Sequence, residues 1–259
     1  MPERYQWQSA LATIGIEGRA LAPQENAGAV LCERQVGTQL VIRGDASDAE
    51  FNAGVLELLG LKLPVTPKTA HRGATSALLW LGPDEWLAVM ATEYGDKPEA
   101  RFSESLGSVR HAVADVSHSR AVIGLEGARA RDVLMKGTSV DLHPRQFGPD
   151  SCIQAHLGRC HMLLHQLDDG PAYDIYIHRS FAVYAWSWLS DAAGEYGLSV
   201  RGSKESRGQI SDLSPLCPHS VLPTDQARVE PPASILMMTA RSKTMASASP
   251  GPAFALDSP

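Results

Sequence analysis

Hydrophobic positions along the chain follow two spacings, one typical of strands and one typical of helices, and the resulting order of elements occurs twice. Residues 37–44 (GTQLVIRG) alternate and are rich in β-forming residues, which predicts a strand. Ser47 and Glu50 have the spacing of a capping box, and Gly60 is placed to end the helix that they begin. The apolar face of that helix consists of Phe51, Val55, Leu58 and Leu59.

The first unit continues with a hairpin. Residues 76–81 and 86–91 are apolar strands on either side of a Gly-Pro-Asp-Glu turn (82–85). A short helix near 101–106 and a strand at 111–117 follow. The predicted order of this unit is therefore βαββαβ.

The second unit repeats that order. Strands are predicted at 119–127, 160–167 and 172–178, with a helix at 128–135 after the first of them. A long helix comes next, and the segment LSVRG provides a last short strand. The apolar face of the long helix consists of Phe181, Tyr184, Ala185, Trp188, Leu189 and Ala192.

Together these elements predict an α+β protein built from two repeated βαββαβ units, with mostly antiparallel sheets and helices on one face of each sheet. The predicted domain covers 30–201, with halves at about 30–117 and 118–201, and an N-terminal arm (1–29) precedes it. Residues 202–259 hold eight of the seventeen prolines and only one aromatic residue. We expect them to form a mostly disordered tail rich in proline, serine and alanine.

Composition narrows the classes of partner. The 259 residues carry a net charge of -6 without a cluster of lysines and arginines, so we expect no nucleic acid partner. No apolar run approaches the roughly 18 residues of a membrane span, and the N-terminus lacks the pattern of a signal peptide. Cys32, Cys152, Cys160 and Cys217 show no CxxC spacing, which favours reduced cysteines and a cytoplasmic protein.

Five residues of metal-ligating type lie close together in sequence: Cys152, His156, Cys160, His161 and His165. On a helix they would form a zinc-binding stripe. The segment leads into the hairpin signal Asp-Asp-Gly, however, and on a strand these side chains point to opposite faces. We therefore expect no metal site in this chain.

The segment DVSH (115–118) brings an acid, a hydroxyl and a base together in sequence. At a strand end, Asp115 and Ser117 face one way and His118 the other, whereas a nucleophile needs its base within hydrogen-bond reach. The chain contains no Gly-x-Ser-x-Gly elbow, no GxGxxG fingerprint and no P-loop. We expect no catalytic and no cofactor-binding residue in it.

Arg179 is predicted at the start of the last helix, where the helix dipole disfavours positive charge. It therefore calls for an acidic partner or an anion. Asp174 and Asp191 are the intrachain alternatives, and an acidic surface of a partner protein or a substrate are the others. We single out Arg179 as a candidate interface or anion contact, and Ser180 as the N-cap of the helix.

Four segments of the chain carry a family pattern: GLKLPVTP (60–67), LGPDEWLAVM (81–90), ADVSHSRAVIGLEGARARDVLMKGTSVDLHP (114–144) and DGPAYDIYIHRSFAVYAWSWLSDAAGEYGL (169–198). In order and spacing they resemble the gamma subunits of heterotetrameric sarcosine oxidases, over about 25–201. The resemblance implies a fold like the folate-binding domain of the aminomethyltransferases, which agrees with the repeat read from the periodicity.

The resemblance also implies a role. A non-catalytic, structural gamma subunit would assemble with alpha, beta and delta subunits into a complex that demethylates sarcosine oxidatively. The products are glycine, hydrogen peroxide, and formaldehyde or methylenetetrahydrofolate. NAD and tetrahydrofolate are expected in the alpha subunit, FAD and FMN with the beta subunit, and zinc in the delta subunit, with no cofactor in this chain.

Two alternatives stay open. One is a subunit of a related N-methyl amino acid oxidoreductase, such as N-methylglutamate dehydrogenase. The other is a free-standing folate-binding one-carbon transferase. In the aminomethyltransferases an aspartate before the hairpin serves the folate, but the matching residues 151–167 contain neither Asp nor Glu. The resemblance thus implies a degenerate pocket, and folate binding would need a carboxylate from elsewhere, such as Asp115 or Asp174.

Overall fold

The computed structural model describes residues 8–15, 27–34, 37–90 and 97–201, all of which belong to one unit spanning Met1–His219. The predicted tail lies outside the described residues, as does much of the predicted N-terminal arm. No helix within these ranges is long and apolar enough to cross a membrane.

The described residues form eleven strands and four α-helices. In chain order they are β1 (Ala29–Arg34), β2 (Thr38–Gly44), α1 (Ala49–Leu59), β3 (Ala70–Arg72), β4 (Ser76–Gly82), β5 (Glu85–Met90), α2 (Pro98–Leu106), β6 (His111–Asp115), β7 (Arg120–Glu126), α3 (Ala130–Met135), β8 (Cys152–Leu157), β9 (Cys160–Asp168), β10 (Ala172–His178), α4 (Ala182–Gly194) and β11 (Leu198–Arg201).

The order of elements is repeated, with one more strand in each unit than the sequence predicts. From β2 to β6 and again from β7 to β11 the chain runs βαβββαβ. The additional strands are β3 and β8, and β1 precedes both units. β3 is three residues long, too short to show an alternating pattern. β8 combines apolar, amide and imidazole side chains and lies at a sheet edge, so its apolar pattern is weak.

The strands form two sheets with corresponding orders. The five-stranded sheet has the order β3-β4-β5-β2-β6, and the six-stranded sheet has the order β8-β9-β10-β7-β1-β11. The two orders match element by element once β1 is recognised as an insertion between β7 and β11. All neighbouring strands are antiparallel except β1 and β11, which are parallel. The prediction of mostly antiparallel sheets is confirmed.

Each sheet has helices on one face and the other sheet on its opposite face. The core between the five-stranded sheet and its helices includes Phe51, Val55, Phe102 and Leu106. The core between the six-stranded sheet and its helices includes Val133, Leu134, Ala185 and Leu189. A third core joins the inner faces of the sheets and includes Leu79, Val89, Val122, Leu163 and Tyr176. Both faces of each sheet are therefore buried. The packing of these apolar side chains contributes more to the stability of the fold than helix propensity does.

The first helix begins one residue later than the capping-box spacing predicts. Asp48 is the N-cap, and its carboxylate accepts hydrogen bonds from the backbone N–H groups of Glu50 (2.8 Å) and Phe51 (3.2 Å). The Ser47 hydroxyl instead donates to Asp45 (2.7 Å). The prediction of Ser47 as the cap is therefore wrong. Ser47 and Asp48 are neighbours and both can cap a helix, and the Asp48 carboxylate is the one that does. Gly60 ends the helix in the left-handed conformation (φ 67°), as predicted.

The last helix also differs from its prediction, both in where it begins and in which side chains it buries. A 3₁₀ turn, Arg179–Phe181, precedes α4, whose N-cap is Phe181 without a side-chain hydrogen bond, so the prediction of Ser180 as the N-cap is wrong. Phe181 is 45% exposed rather than buried, whereas Trp186, which the predicted face omitted, is only 7% exposed. The buried residues of the predicted face are Ala185, Leu189 and Ala192.

Candidate functional site

The predicted metal stripe lies on a β-hairpin, not on a helix. Cys152 in β8 is opposite His165 in β9, and His156 is opposite His161, with their rings 4.1 Å apart. Cys152 belongs to the core between the sheets, whereas Cys160 belongs to the core under the helices of the six-stranded sheet. The two cysteines are therefore on opposite faces. Within the described ranges, no group of three or more His, Cys, Asp or Glu side chains could hold a metal ion.

The cysteines of this hairpin are buried. Burial raises the pKa of Cys152 to about 12, and it raises the pKa of Cys160 as well. Both side chains are thus neutral thiols near neutral pH.

Asp115, Ser117 and His118 lie at a turn that follows β6. The Ser117 backbone N–H donates to Asp115 Oδ1 (2.8 Å), and so does its hydroxyl (2.5 Å). The Ser117 oxygen also accepts from the backbone N–H of Gln39 (2.9 Å). His118 is exposed, and none of the hydrogen bonds described for Ser117 involves it. The serine fixes the connection between the two units.

Arg179 lies on the surface, at the 3₁₀ turn after β10. Its guanidinium donates from Nη2 to the carbonyl oxygen of Gln8, and its backbone N–H donates to the Ser119 carbonyl (2.8 Å). Among the described residues it forms no ion pair, neither with Asp174 nor with Asp191. The two predicted intrachain partners are therefore wrong, and the question of an external partner remains.

Asp174 is unavailable to Arg179 because it belongs to a buried ionic cluster on the inner face of the six-stranded sheet. Arg34 in β1 donates from Nε to Asp174 Oδ1 in β10 (2.7 Å) and from Nη2 to Glu126 Oε1 in β7 (2.8 Å). Burial disfavours the charged guanidinium, but the neighbouring carboxylates outweigh that effect and raise the pKa of Arg34 above its ordinary value. The Arg34 cluster, defined as these three residues, joins three strands.

Gly124 makes the Arg34 cluster sterically feasible. Gly124 lies in β7, opposite Cys32 of β1 on one side and Asp174 of β10 on the other. The Arg34 side chain must therefore pass over Gly124 to reach Asp174. A Cβ atom at Gly124 would lie 2.6 Å from Cys32 Sγ and 2.8 Å from Arg34 Nε. Both distances are shorter than Cβ contacts in folded proteins allow, and any side chain here would displace the guanidinium from its carboxylates.

A second ionic group links the two sheets at β3. Arg72 donates from Nε to Asp150 Oδ1 (2.6 Å), and from Nη2 to the carbonyl oxygen of Leu167. His165 Nε2 lies 3.8 Å from the same Asp150 oxygen, beyond hydrogen-bond distance, so the arginine is the firmer contact. The His165 imidazole and the Arg72 guanidinium lower the pKa of Asp150. His165 thus lies beside this group.

Sequence reasoning found Arg179 but missed Arg34 and its partners. One signal was available in the sequence of the strand YDIYIH. Asp174 is its only carboxylate, and its other residues before the terminal His178 are apolar or aromatic. A carboxylate on a strand that is buried on both faces requires a cation, yet nothing local shows that Arg34, 140 positions earlier, provides it.

Comparison with known proteins places the chain in a family. Residues 43–195 match the family described as "Sarcosine oxidase, gamma subunit family". The chain is 36% identical over 179 residues to a sarcosine oxidase subunit gamma from Corynebacterium sp. (strain P-1), covering 68% of this chain and 86% of the relative. It is 34% identical over 179 residues to a sarcosine oxidase subunit gamma from Arthrobacter sp, with the same coverage.

Solved structures agree with these sequences. A chain of the heterotetrameric sarcosine oxidase from Corynebacterium sp. U-96, solved in complex with pyrrole 2-carboxylate, superposes with a TM-score of 0.66 and 29% identity, covering 73% of this chain and 96% of that chain. The glycine cleavage system aminomethyltransferase T from Bartonella henselae shares the fold, with a TM-score of 0.51 and 12% identity, covering 68% of this chain and 48% of that chain. The chain belongs to the sarcosine oxidase gamma subunit family.

Proposed function

We propose that the chain is the non-catalytic, structural gamma subunit of a heterotetrameric sarcosine oxidase. The observation that carries the proposal is that this chain superposes on one chain of that complex. The superposition covers 96% of that chain. A match over nearly the whole of a subunit supports the same place in an assembly, rather than the reuse of one motif in another context.

The interior of the domain supports a structural role. The Arg34 cluster lies on the inner face of the six-stranded sheet, and Arg72 pairs with Asp150, a half-exposed loop residue before β8, so these charges have partners within the domain. Asp174 is bound to Arg34, and Asp115 closes a turn with Ser117. Asp115 and Asp174, the two examples of a carboxylate that could serve folate, thus already have hydrogen-bond partners within the chain.

In this proposal the partners are alpha, beta and delta subunits in the cytoplasm. The complex oxidises the N-methyl group of sarcosine and yields glycine, hydrogen peroxide, and formaldehyde or methylenetetrahydrofolate. FAD, FMN, NAD, tetrahydrofolate and zinc belong to the partner subunits. Arg179 is the residue that we assign to an interface or anion contact, because its exposed guanidinium has only a backbone carbonyl as partner among the described residues.

Co-expression tests the proposal. The tagged chain, produced together with the alpha, beta and delta reading frames of the same genome, should elute with them in gel filtration, and the pool should show flavin absorbance and sarcosine oxidase activity. The chain produced alone should show neither. A chain that elutes by itself while the other three assemble would contradict the proposal. Micromolar binding of tetrahydrofolate to the chain alone, measured by calorimetry, would favour the one-carbon transferase.

The choice between sarcosine and another N-methyl amino acid is a property of the assembled complex. If the co-purified complex turns over N-methylglutamate and not sarcosine, the chain is a subunit of the related dehydrogenase, and the structural part of the proposal stands.

A further inference from the structure

An open depression lies beside Arg179, between residues 8–15 and the corner where β10 meets the last helix. We call it the Arg179 depression. Its lining includes Gln8, Ser119, His178, Arg179 and Phe181.

The Arg179 depression holds a positive charge on a chain whose net charge is -6. Among the described residues its lining contains Arg179 and His178 and no acidic side chain, and the nearby Glu33 carboxylate accepts a hydrogen bond from the lining residue Ser9. A guanidinium has five N–H donors, and among the described residues only one hydrogen bond of this guanidinium is found, to the carbonyl of Gln8. The remaining donors are free to bind an anion that enters the depression.

The walls of the Arg179 depression are held in place by the core. Leu11 is fully buried under the helices of the six-stranded sheet, which fixes residues 8–15 against the domain. The backbone N–H of Arg179 donates to the Ser119 carbonyl (2.8 Å), which fixes the opposite wall. Binding a ligand here therefore requires little reordering, a condition that favours affinity.

An exposed aromatic side chain lies in the same depression as the cation. Phe181 lines the depression and is 45% exposed. Arginine beside an exposed aromatic residue is the combination that is enriched at the energetically dominant positions of protein interfaces. A ligand that fits this surface carries a carboxylate and, next to it, an apolar group.

We propose that the Arg179 depression receives an acidic side chain of a partner subunit, with an apolar neighbour of that residue packed on Phe181. The inference rests on the proposed function, since it needs the assembled complex. Charge complementarity argues for a carboxylate, because the planar guanidinium can bind both oxygens of a carboxylate through two parallel hydrogen bonds. The pair would be shielded from water by the apolar contact beside it.

The test compares tagged chains co-expressed with the other three subunits. In the Arg179→Glu chain the repulsion should weaken retention of the partners, with a rise in the dissociation constant of about 30-fold or more. The dissociation constant of the Arg179→Lys chain should lie between those of the Arg179→Glu chain and the wild type. Lysine keeps the positive charge but cannot form the two parallel hydrogen bonds of a guanidinium. Arg145→Glu is the matched control, since Arg145 is also exposed and lies on a different loop.

Photo-crosslinking identifies the occupant. In the complex, Phe181→p-benzoylphenylalanine should cross-link to a partner peptide that contains Asp or Glu near the attachment point. Retention of partners by the Arg179→Glu chain at the level of the Arg145→Glu chain would overturn the inference. A cross-link to a peptide without acidic residues, or no cross-link, would overturn it as well. If the wild-type chain itself retains no partner, the proposed function fails instead, so the two outcomes are distinguishable.

Discussion

Replacing Arg34 with methionine is expected to lower the free energy of unfolding by about 3 kcal/mol. Methionine keeps much of the aliphatic stem but removes the guanidinium that lies 2.7 Å from Asp174 and 2.8 Å from Glu126. Removing one partner of a buried ion pair costs about 3–5 kcal/mol, because the other charge stays buried without compensation. The carboxylates are 16% and 14% exposed, and Arg201 lies 4.0 Å from Glu126, so the lower end of that range applies.

The reasoning makes a second, sharper statement about sign. If the cost comes from uncompensated charge, then neutralising both carboxylates in the same chain must recover stability. The variant Arg34→Met with Glu126→Gln and Asp174→Asn is therefore expected to be more stable than Arg34→Met alone, although it carries two more substitutions.

Urea denaturation followed by circular dichroism measures both effects on the full chain. A loss of about 3 kcal/mol corresponds to a decrease of about 1–3 M in the midpoint for urea slopes typical of small proteins. A loss below about 1 kcal/mol for Arg34→Met would show that the pair is worth no more than a surface ion pair. A triple variant less stable than the single one would show that charge compensation is not what the cluster provides.

Three further predictions concern single positions. Gly124→Ala should destabilise the fold by about 1–3 kcal/mol in the same urea assay, whereas Gly194→Ala, whose Cβ would meet nothing within 4 Å, should leave stability unchanged or slightly raised. Asp48→Ala should cost about 1 kcal/mol through loss of the N-cap, and an unchanged urea midpoint would contradict that role. Asp150→Asn should be less stable than the wild type near neutral pH: the adjacent imidazole and guanidinium hold the folded-state pKa of Asp150 below 3.8, so the carboxylate stabilises the fold above that pH. The difference between the two chains should shrink as the pH falls below 3.8, and a difference that stays constant well below that pH would refute the assignment.

Local signals in the sequence predicted most of the fold. The Gly-Pro-Asp-Glu turn joins β4 to β5, because proline fixes its own φ and favours a turn. Gly60 ends α1, because glycine adopts the left-handed conformation without a steric penalty. The same reasoning went wrong by one residue at the cap of α1, where Ser47 and Asp48 compete for one position. It missed β3 because three residues carry no periodicity.

Contacts between distant parts of the chain could not be predicted in this way. Arg34 and Asp174 are 140 positions apart, and Arg179 and Gln8 are 171 positions apart. For Arg179 we predicted Asp174 and Asp191 as partners because they are close to it along the chain. In the part of the chain that the structure describes, neither forms an ion pair with it. Asp174 lies on the inner face of its sheet, where the insertion of β1 between β7 and β11 brings Arg34 to it.

The repeat and the ionic cluster together suggest how the domain is built. Each half of the chain forms one sheet with its helices, and β1 is the element that departs from the repeat. That strand carries Arg34, so the insertion also supplies the cation that joins β1, β7 and β10. We infer that the cluster fixes the register of the inserted strand, a role for buried charges that is attested in other proteins.

The most direct test of the account is native mass spectrometry of the complex formed when this chain is co-expressed with the alpha, beta and delta subunits. The account predicts one copy of the chain in each complex that also contains the other three, with every flavin retained by subunits other than this one. Assembly of an active oxidase that excludes this chain, or flavin bound to this chain alone, would contradict it.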